Sequence, residues 1–419
     1  MAATATKALV QPTACRFCGA PLANSVIDLG VTPSANAYVR RDELRRGEAF
    51  LPLHALVCDG CFLVQIEPHQ TPEQLFADYA YFSSYSSTWL KHAERYCEDM
   101  VARFGLGPRH LAVEVASNDG YLLQFFRRRG LNVLGVEPGA NVARSAIQKG
   151  IPTIVRFFGR DTARRLQRDG SAADLLIGNN VLAHVPDLND FVAGLKIALK
   201  PTGVLTMEFP HLLRLIADAQ FDTIYHEHFS YFSFLTAEAV FAAHGIRLFD
   251  VDELPTHGGS LRIYGCHAEA DRPTTPAVER LRETERAAGL RRLDTYRAFA
   301  DRAATIKRRL LAFLIAARDG GKRVAGYGAP AKGNTMLNYC GIRTDMVEFT
   351  VDRNPHKQGL YLPGSRIPIF HPDRIREARP DFVLILPWNL KDEIMGEMAC
   401  IRDWGGRFVT AVPSLEVHP

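Results

Sequence analysis

The apolar positions of the chain change period several times. From Cys15 to about Leu63 they are short, turn-rich and without helical repeat, in a unit too small to hold together by burial alone. Thr71-Pro72-Glu73-Gln74 then reads as a helix start, with Thr71 as N-cap, Pro72 at the first helical position and Gln74 where a capping box needs it. An aromatic-rich stretch follows through Tyr79, Tyr81, Phe82, Tyr85 and Trp89. From about residue 110, short apolar runs alternate with amphipathic segments. Strands are predicted at His110–Val115, Asn132–Val136, Asp174–Ile177 and Gly203–Met207, separated by helices at Gly120–Arg129, Asn141–Lys149 and Asp187–Leu199. This is βαβ logic and predicts a mostly parallel, doubly wound sheet. A helix at Thr236–His244 and strands at Ile246–Val251 and Leu261–Cys266 complete the middle part near residue 270, where Ala270 to Pro276 reads as a linker. A charged helical stretch from Ala277 to about Arg318 leads into a second α/β set, Arg323–Tyr327, Val347–Val351, Phe382–Leu386 and Phe408–Val412.

The predicted fold class is α/β in three domains: a small N-terminal unit at 12–70, a central Rossmann-like domain with a doubly wound sheet at 71–270, and a smaller C-terminal α/β Rossmann-like domain at 271–419. With 47% hydrophobic and 23% charged residues, the 419-residue chain is neither disordered nor fibrous. A formal net charge of +4 is too small for a nucleic-acid footprint and leaves an anionic small molecule open. No window has the roughly 18 apolar residues of a membrane span, and Met1 to Gln11 lacks a secretory h-region, so a cytoplasmic protein with no membrane partner is expected.

Cysteine usage sharpens the picture of the first unit. Cys15-x2-Cys18 and Cys58-x2-Cys61 are two chelating pairs, each able to clamp one side of a tetrahedral ion. A four-Cys site keeps no open position, so the predicted zinc is structural and supplies folding free energy, not Lewis acid chemistry.

In the central part, Glu114-Val115-Ala116-Ser117-Asn118-Asp119-Gly120-Tyr121 runs from a strand through small residues into a helix, where backbone amides approach a ligand closely. The next strand ends in Glu137-Pro138, a carboxylate suited to ribose hydroxyls. The dinucleotide pattern G-x-G-x-x-G is absent, and Glu114 and Asp119 beside the loop favour a cationic, phosphate-free nucleoside, S-adenosylmethionine. Asn179, Asn180, Val181 and His184 follow the third strand at the sheet's ligand-binding edge. Tyr225-His226-Glu227-His228-Phe229-Ser230-Tyr231-Phe232 is the densest cluster of titratable and aromatic groups. A histidine there can take a proton near neutral pH, a carboxylate can orient it, and a phenol can stabilise an oxyanion. Only a bend brings Tyr225 and His228 into one pocket. Two further loops, His257-Gly258-Gly259-Ser260 with Arg262 on the following strand, and Tyr327 to Asn334 with Lys332, present the groups a diphosphate needs.

Taken in order, the two Cys pairs, S-N-D-G-Y, N-V-L-A-H-V-P-D, Y-H-E-H-F-S-Y-F, H-G-G-S-L-R and G-Y-G-A-P-A-K-G-N-T resemble one family over nearly the whole chain. It is the S-adenosylmethionine-dependent C-methyltransferases that branch dTDP-linked 4-keto-deoxysugars. The resemblance implies His228 as general base, with Tyr79, His184, Tyr225 and Glu227 lining the reacting sugar, and a C-terminal domain that closes over the sugar nucleotide. Ala116 stands where many methyltransferase loops carry Gly. A 4-keto group acidifies C3 and C5, so the methyl acceptor is one of them, C3 favoured, reached by proton abstraction and an enolate. A monomer or homodimer acting on no nucleic acid is expected. Competing readings are a nucleic-acid methyltransferase with a zinc-ribbon reader, and a non-catalytic nucleotide-sugar-binding protein whose cofactor loop has decayed at Ala116.

Overall fold

A computed structural model describes residues 13–76 and 82–419 of the chain. The first unit is an antiparallel meander of β1 (Asn24–Thr32), β2 (Leu51–Val57) and β3 (Val64–Ile66), with Thr32 opposite Leu51 and Ala55 opposite Ile66. Its buried side chains, Val26, Leu53, Val57 and Val64 among them, share one apolar cluster with the helix Leu293–Asp319. The capping box forms as its residues predict. The Thr71 amide donates to Gln74 Oε1 at 2.9 Å and the Gln74 amide to Thr71 Oγ1 at 3.4 Å, starting a short helix, Pro72–Phe76.

The central sheet contains β4 (Leu111–Val115), β5 (Asn132–Val136), β6 (Thr153–Ile154), β7 (Ala173–Asn179) and β8 (Leu199–Pro210). A short strand, β9 (Ser230–Tyr231), leaves this sheet and pairs with β3 as the fourth strand of the N-terminal meander, Val64 opposite Tyr231. β10 (Ile246–Leu254) and β11 (Ser260–His267) return to the centre, giving the order β10-β11-β8-β7-β4-β5-β6 with β11 antiparallel to both neighbours. The order reverses between β4 and β7, which opens a crevice at their carboxyl ends.

The charged stretch after the linker is two helices, Pro276–Ala287 and Leu293–Asp319, interrupted by Gly289 at φ +78°. The first buries Val278 and Leu281 in the central core, whereas the second belongs to the cluster shared with the N-terminal sheet. The last sheet has β12 (Val324–Tyr327), β13 (Thr350–Val351), β14 (Ile369–Phe370), β15 (Phe382–Ile385), β16 (Arg407–Thr410) and β17 (Glu416–His418) in the order β14-β13-β12-β15-β16-β17. All its pairings are parallel except the last. Among the described residues no helix is long and apolar enough to cross a membrane.

Candidate active site

Two matching turns build the metal centre. The Gly19 amide donates to the Cys15 carbonyl and the Phe62 amide to the Cys58 carbonyl, and both residues adopt positive φ, +75° and +61°. The turns interlock, Cys15 Sγ lying 3.5 Å from Cys61 Sγ and Cys18 Sγ 3.5 Å from Cys58 Sγ, with all four sulfurs within 4.8 Å of one another. Sulfurs bound ~2.3 Å from a tetrahedral zinc stand about 3.8 Å apart, so the set fits the ion without rearrangement.

A cavity of about 1230 Å³ lies between the central and C-terminal sheets. That is larger than the ~300–1,000 Å³ of a single small-molecule site and leaves room for two ligands. Ala116, Asn118, Tyr121, Glu137, Pro138, Asn179, Asn180, Val181 and His184 line one end. The loop at the top of β4 turns sharply because Ala116 and Asn118 take φ +57° and +50°, the left-handed region that Gly enters freely. Ala116 therefore adopts the backbone a Gly would, and the expected departure from the glycine-bearing loop is one of strain, not of shape. Glu137 accepts from the amides of Asn118 (2.9 Å) and Gly139 (2.8 Å), while burial still pushes its carboxyl up. The Oδ1 atoms of Asn179 and Asn180 are buried acceptors with no partner among the described residues, as groups awaiting a donor on a ligand would be.

The remaining loop residues face away from the cavity. Glu114 is fully buried, and desolvation, with Glu137 and Asp119 adding to it, pushes its carboxyl well above the usual carboxylate range. Asp119 forms an ion pair with Lys149 at 2.9 Å, Ser117 packs against Gly135, and Gly120 packs against Ile151 and Ala146. The expectation that Glu114 and Asp119 present negative charge to a cationic ligand is thus corrected: neither lines the cavity, burial drives the first toward its neutral form, and Lys149 pairs the second.

At the centre of the cavity the Tyr225–His228 segment makes the required bend. The His228 amide donates to the Tyr225 carbonyl at 2.8 Å, closing a turn that stacks the two rings 4.0 Å apart. The Tyr225 hydroxyl lies 2.7 Å from His228 Nε2, and His228 Nδ1 lies 3.0 Å from the Thr223 carbonyl. A carbonyl only accepts, so Nδ1 carries the proton and Nε2 offers the lone pair. Burial, with the neighbouring His184 adding to it, lowers His228 well below the ordinary histidine range and keeps it in the neutral form. The carboxylate expected to orient the imidazole does not do so; Thr223 fills that role, and Glu227 Oε1 accepts from Asn36 Nδ2 at 2.7 Å. Burial moves Glu227 up to about 7 and His184 down to about 4. Tyr79 lies outside the described residues.

Of the two phosphate-type loops, His257 and Arg262 line the cavity, as do Tyr327 and Lys332. Gly258, Gly259 and Ser260 do not; a Cβ on Gly258 would meet Trp388 at 2.5 Å and one on Gly259 would meet Arg214 at 2.6 Å. Asn334 is buried behind the wall and donates to the Ala35 carbonyl at 2.7 Å. The Arg262 guanidinium is already committed, 2.7 Å from Glu208, which also meets His92. Burial alone would raise Glu208, but the hydrogen bond with His92 and the Arg262 guanidinium beside it bring it to about 2. Lys332 Nζ donates to Asn389 Oδ1 at 2.8 Å over the Trp388 ring, and Lys357 adds a second, half-buried amine to the cavity wall. Sequence reasoning missed Asn36, Lys357 and Asn389. None belongs to a periodic pattern, and only the fold brings them to the wall.

Residues 89–250 match the model of a methyltransferase domain, residues 15–76 a zinc binding domain, and residues 255–413 a C-methyltransferase C-terminal domain. The protein is an S-adenosylmethionine-dependent methyltransferase with a zinc-binding unit. Over 403 residues, 96% of each chain, it is 36% identical to the C-methyltransferase NovU of Streptomyces niveus, and it belongs to that C-methyltransferase family. Among solved structures it is similar to the magnesium protoporphyrin IX methyltransferase of Synechocystis PCC 6803 (14% identity, 42% of this chain, 79% of that chain, TM-score 0.33). It is also similar to the PH0226 protein of Pyrococcus horikoshii OT3 (14%, 46% and 97%, TM-score 0.36). Such scores add nothing to the family assignment.

Proposed function

We propose that the enzyme methylates C3 of a dTDP-linked 4-keto-deoxysugar, C5 being the other carbon that the ketone acidifies. The observation that carries this reading is the Tyr225–His228 pair, a phenol and a neutral imidazole half-buried side by side in a cavity with room for two ligands. Ala116, Asn118, Glu137, Pro138, Asn179, Asn180 and Val181 would hold S-adenosylmethionine, which supplies the methyl group. His228 Nε2 takes the proton from the carbon beside the ketone, and the Tyr225 hydroxyl, released from that nitrogen, donates to the enolate oxygen. His184, in edge contact with His228 at 4.8 Å, closes the wall behind the reacting carbon and excludes water. Glu227 accepts from a polar group of the sugar, while Lys332, Lys357, His257 and Tyr327 face its nucleotide diphosphate. Arg262 acts indirectly, by holding Glu208 and His92.

The division at about residues 70 and 270 is part of this reading, with the helix Pro276–Ala287 assigned to the central domain on its packing. So are a monomeric or homodimeric state, the absence of a nucleic-acid partner, and a cytoplasmic setting, in which reduced cysteines keep their zinc. Incubation with a panel of 4-keto-6-deoxy nucleotide sugars and labelled S-adenosylmethionine, followed by mass measurement and NMR, tests it. A new carbon–carbon bond at C3 is expected; label on oxygen or nitrogen, or on RNA in preference to every sugar, would overturn it.

A further inference from the structure

Among the described residues, Asn36 is the one residue of 13–70 that lines the cavity. It sits just beyond β1, and its segment is pinned from the far end of the chain. Asn334 Nδ2 donates to the Ala35 carbonyl at 2.7 Å, Tyr38 Oη to the Ala329 carbonyl at 2.6 Å, and Val39 and Tyr361 exchange backbone hydrogen bonds of 2.9 Å. Held in this way, Asn36 reaches across 191 positions of sequence to Glu227 Oε1 at 2.7 Å. A carboxylate only accepts, so the amide must present nitrogen to it.

We propose that Asn36 is a positioning residue for methyl transfer: its donation fixes one oxygen of the Glu227 carboxyl and turns the other toward the sugar. The zinc-stapled unit thereby completes the active site as well as folding beside it. This inference rests on the reading of the site given above. Few groups compete for the carboxyl. Lys357 acts on it through charge and donates to the Ala329 carbonyl at 2.8 Å; Tyr38 faces it from the N-terminal unit. On its own turn, Tyr225 and His228 engage one another, and His184 reaches the Glu227 backbone carbonyl, not the side chain. Burial pushes the group up to about 7 even with the Asn36 donor in place, so loss of that donor raises it further.

The test compares wild type, Asn36→Ala, the near-isosteric Asn36→Asp and Glu227→Gln, each checked for zinc content and melting temperature. Infrared titration of the full-length protein without substrate follows the Glu227 carboxyl, identified as the band missing in Glu227→Gln. Loss of the Asn36 donor should move its midpoint upward by about one pH unit, tenfold in proton affinity, and Asn36→Asp should move it further. The acid limb of kcat/KM should shift with it, and activity should recover toward high pH. An unmoved midpoint in either folded variant, or a loss of activity equal at every pH, would overturn the proposal. Failure of wild type to methylate any sugar of the panel would instead overturn the functional reading, and the infrared titration would still decide the role of Asn36.

Discussion

The hydroxyl of Tyr225 donates to Nε2 of His228 at 2.7 Å, while Nδ1 of the same ring is held by the Thr223 carbonyl at 3.0 Å. One tautomer is therefore selected, and the lone pair that would take a proton is covered by the donor an enolate would need. Entry of a ketone can exchange the two partners without moving the backbone, because the phenol and the imidazole sit on one tight turn.

Replacement of either partner should therefore separate chemistry from binding. His228→Asn is expected to keep S-adenosylmethionine affinity and lose at least ~10²-fold in kcat, the scale of general base catalysis. Tyr225→Phe should lose a similar ~10²-fold by removing an oxyanion donor. Calorimetry and single-turnover rates check both; near-normal turnover by His228→Asn would remove that ring from the role of base.

The left-handed Ala116 makes a different prediction. Ala116→Gly relieves a conformation that costs an L-residue roughly 1 kcal/mol, so calorimetry should find S-adenosylmethionine bound at least as tightly as by wild type. Ala116→Val adds a β-branched side chain at the same φ and should abolish binding while the rest of the protein stays folded. Equal affinities in all three would show that the loop does not meet the cofactor.

Zinc removal should reach the catalytic turn. Ser230 and Tyr231 pair with Gln65 and Val64, so the strand that follows His228 is anchored on the metal-stapled sheet. Cys58→Ser, or chelation, is expected to unfold residues 13–70 and to cost methyl transfer in the same step. Metal analysis should find one zinc per chain. Metal-free protein that remains folded and active would exclude this coupling.

Stability should fall on mild acidification through His184 and His257, both lowered by burial from 6.5 to about 4. Folding favours their neutral forms. Their contribution is thus fully present above pH 6.5 and is lost as pH falls toward about 4. Glu227 and Asp222, raised by burial to about 7 and about 6, act in the opposite sense and favour the folded state at low pH. Urea melts of wild type and His257→Gln isolate the histidine part: the variant should lose less stability than wild type between about pH 6.5 and 4.5. Parallel curves would contradict it.

Where structure follows short-range rules, the chain was legible without coordinates. The Thr71–Gln74 box, the four strands from residue 110 onward and the two Cys pairs each depend on neighbours a few residues away or on one fixed spacing. Reading by composition of a loop was less secure. Glu114 and Asp119 read as charges facing a ligand, but burial pushes the carboxyl of the first well up and Lys149 occupies the second. Arg262 counted as a phosphate donor, and Glu208 on the adjacent strand claims it, because the register sets Arg262 opposite Glu208.

The order of elements, the metal ligands, the cofactor loop and the aromatic–histidine cluster were determined by sequence alone, since periodicity and spacing are properties of neighbouring positions. Tertiary structure decided the tautomer of His228, the partner of Glu227 and the entry of Asn36 into the cavity wall. Those depend on which buried groups meet after the chain has packed, and burial then makes each hydrogen bond strong enough to set a charge.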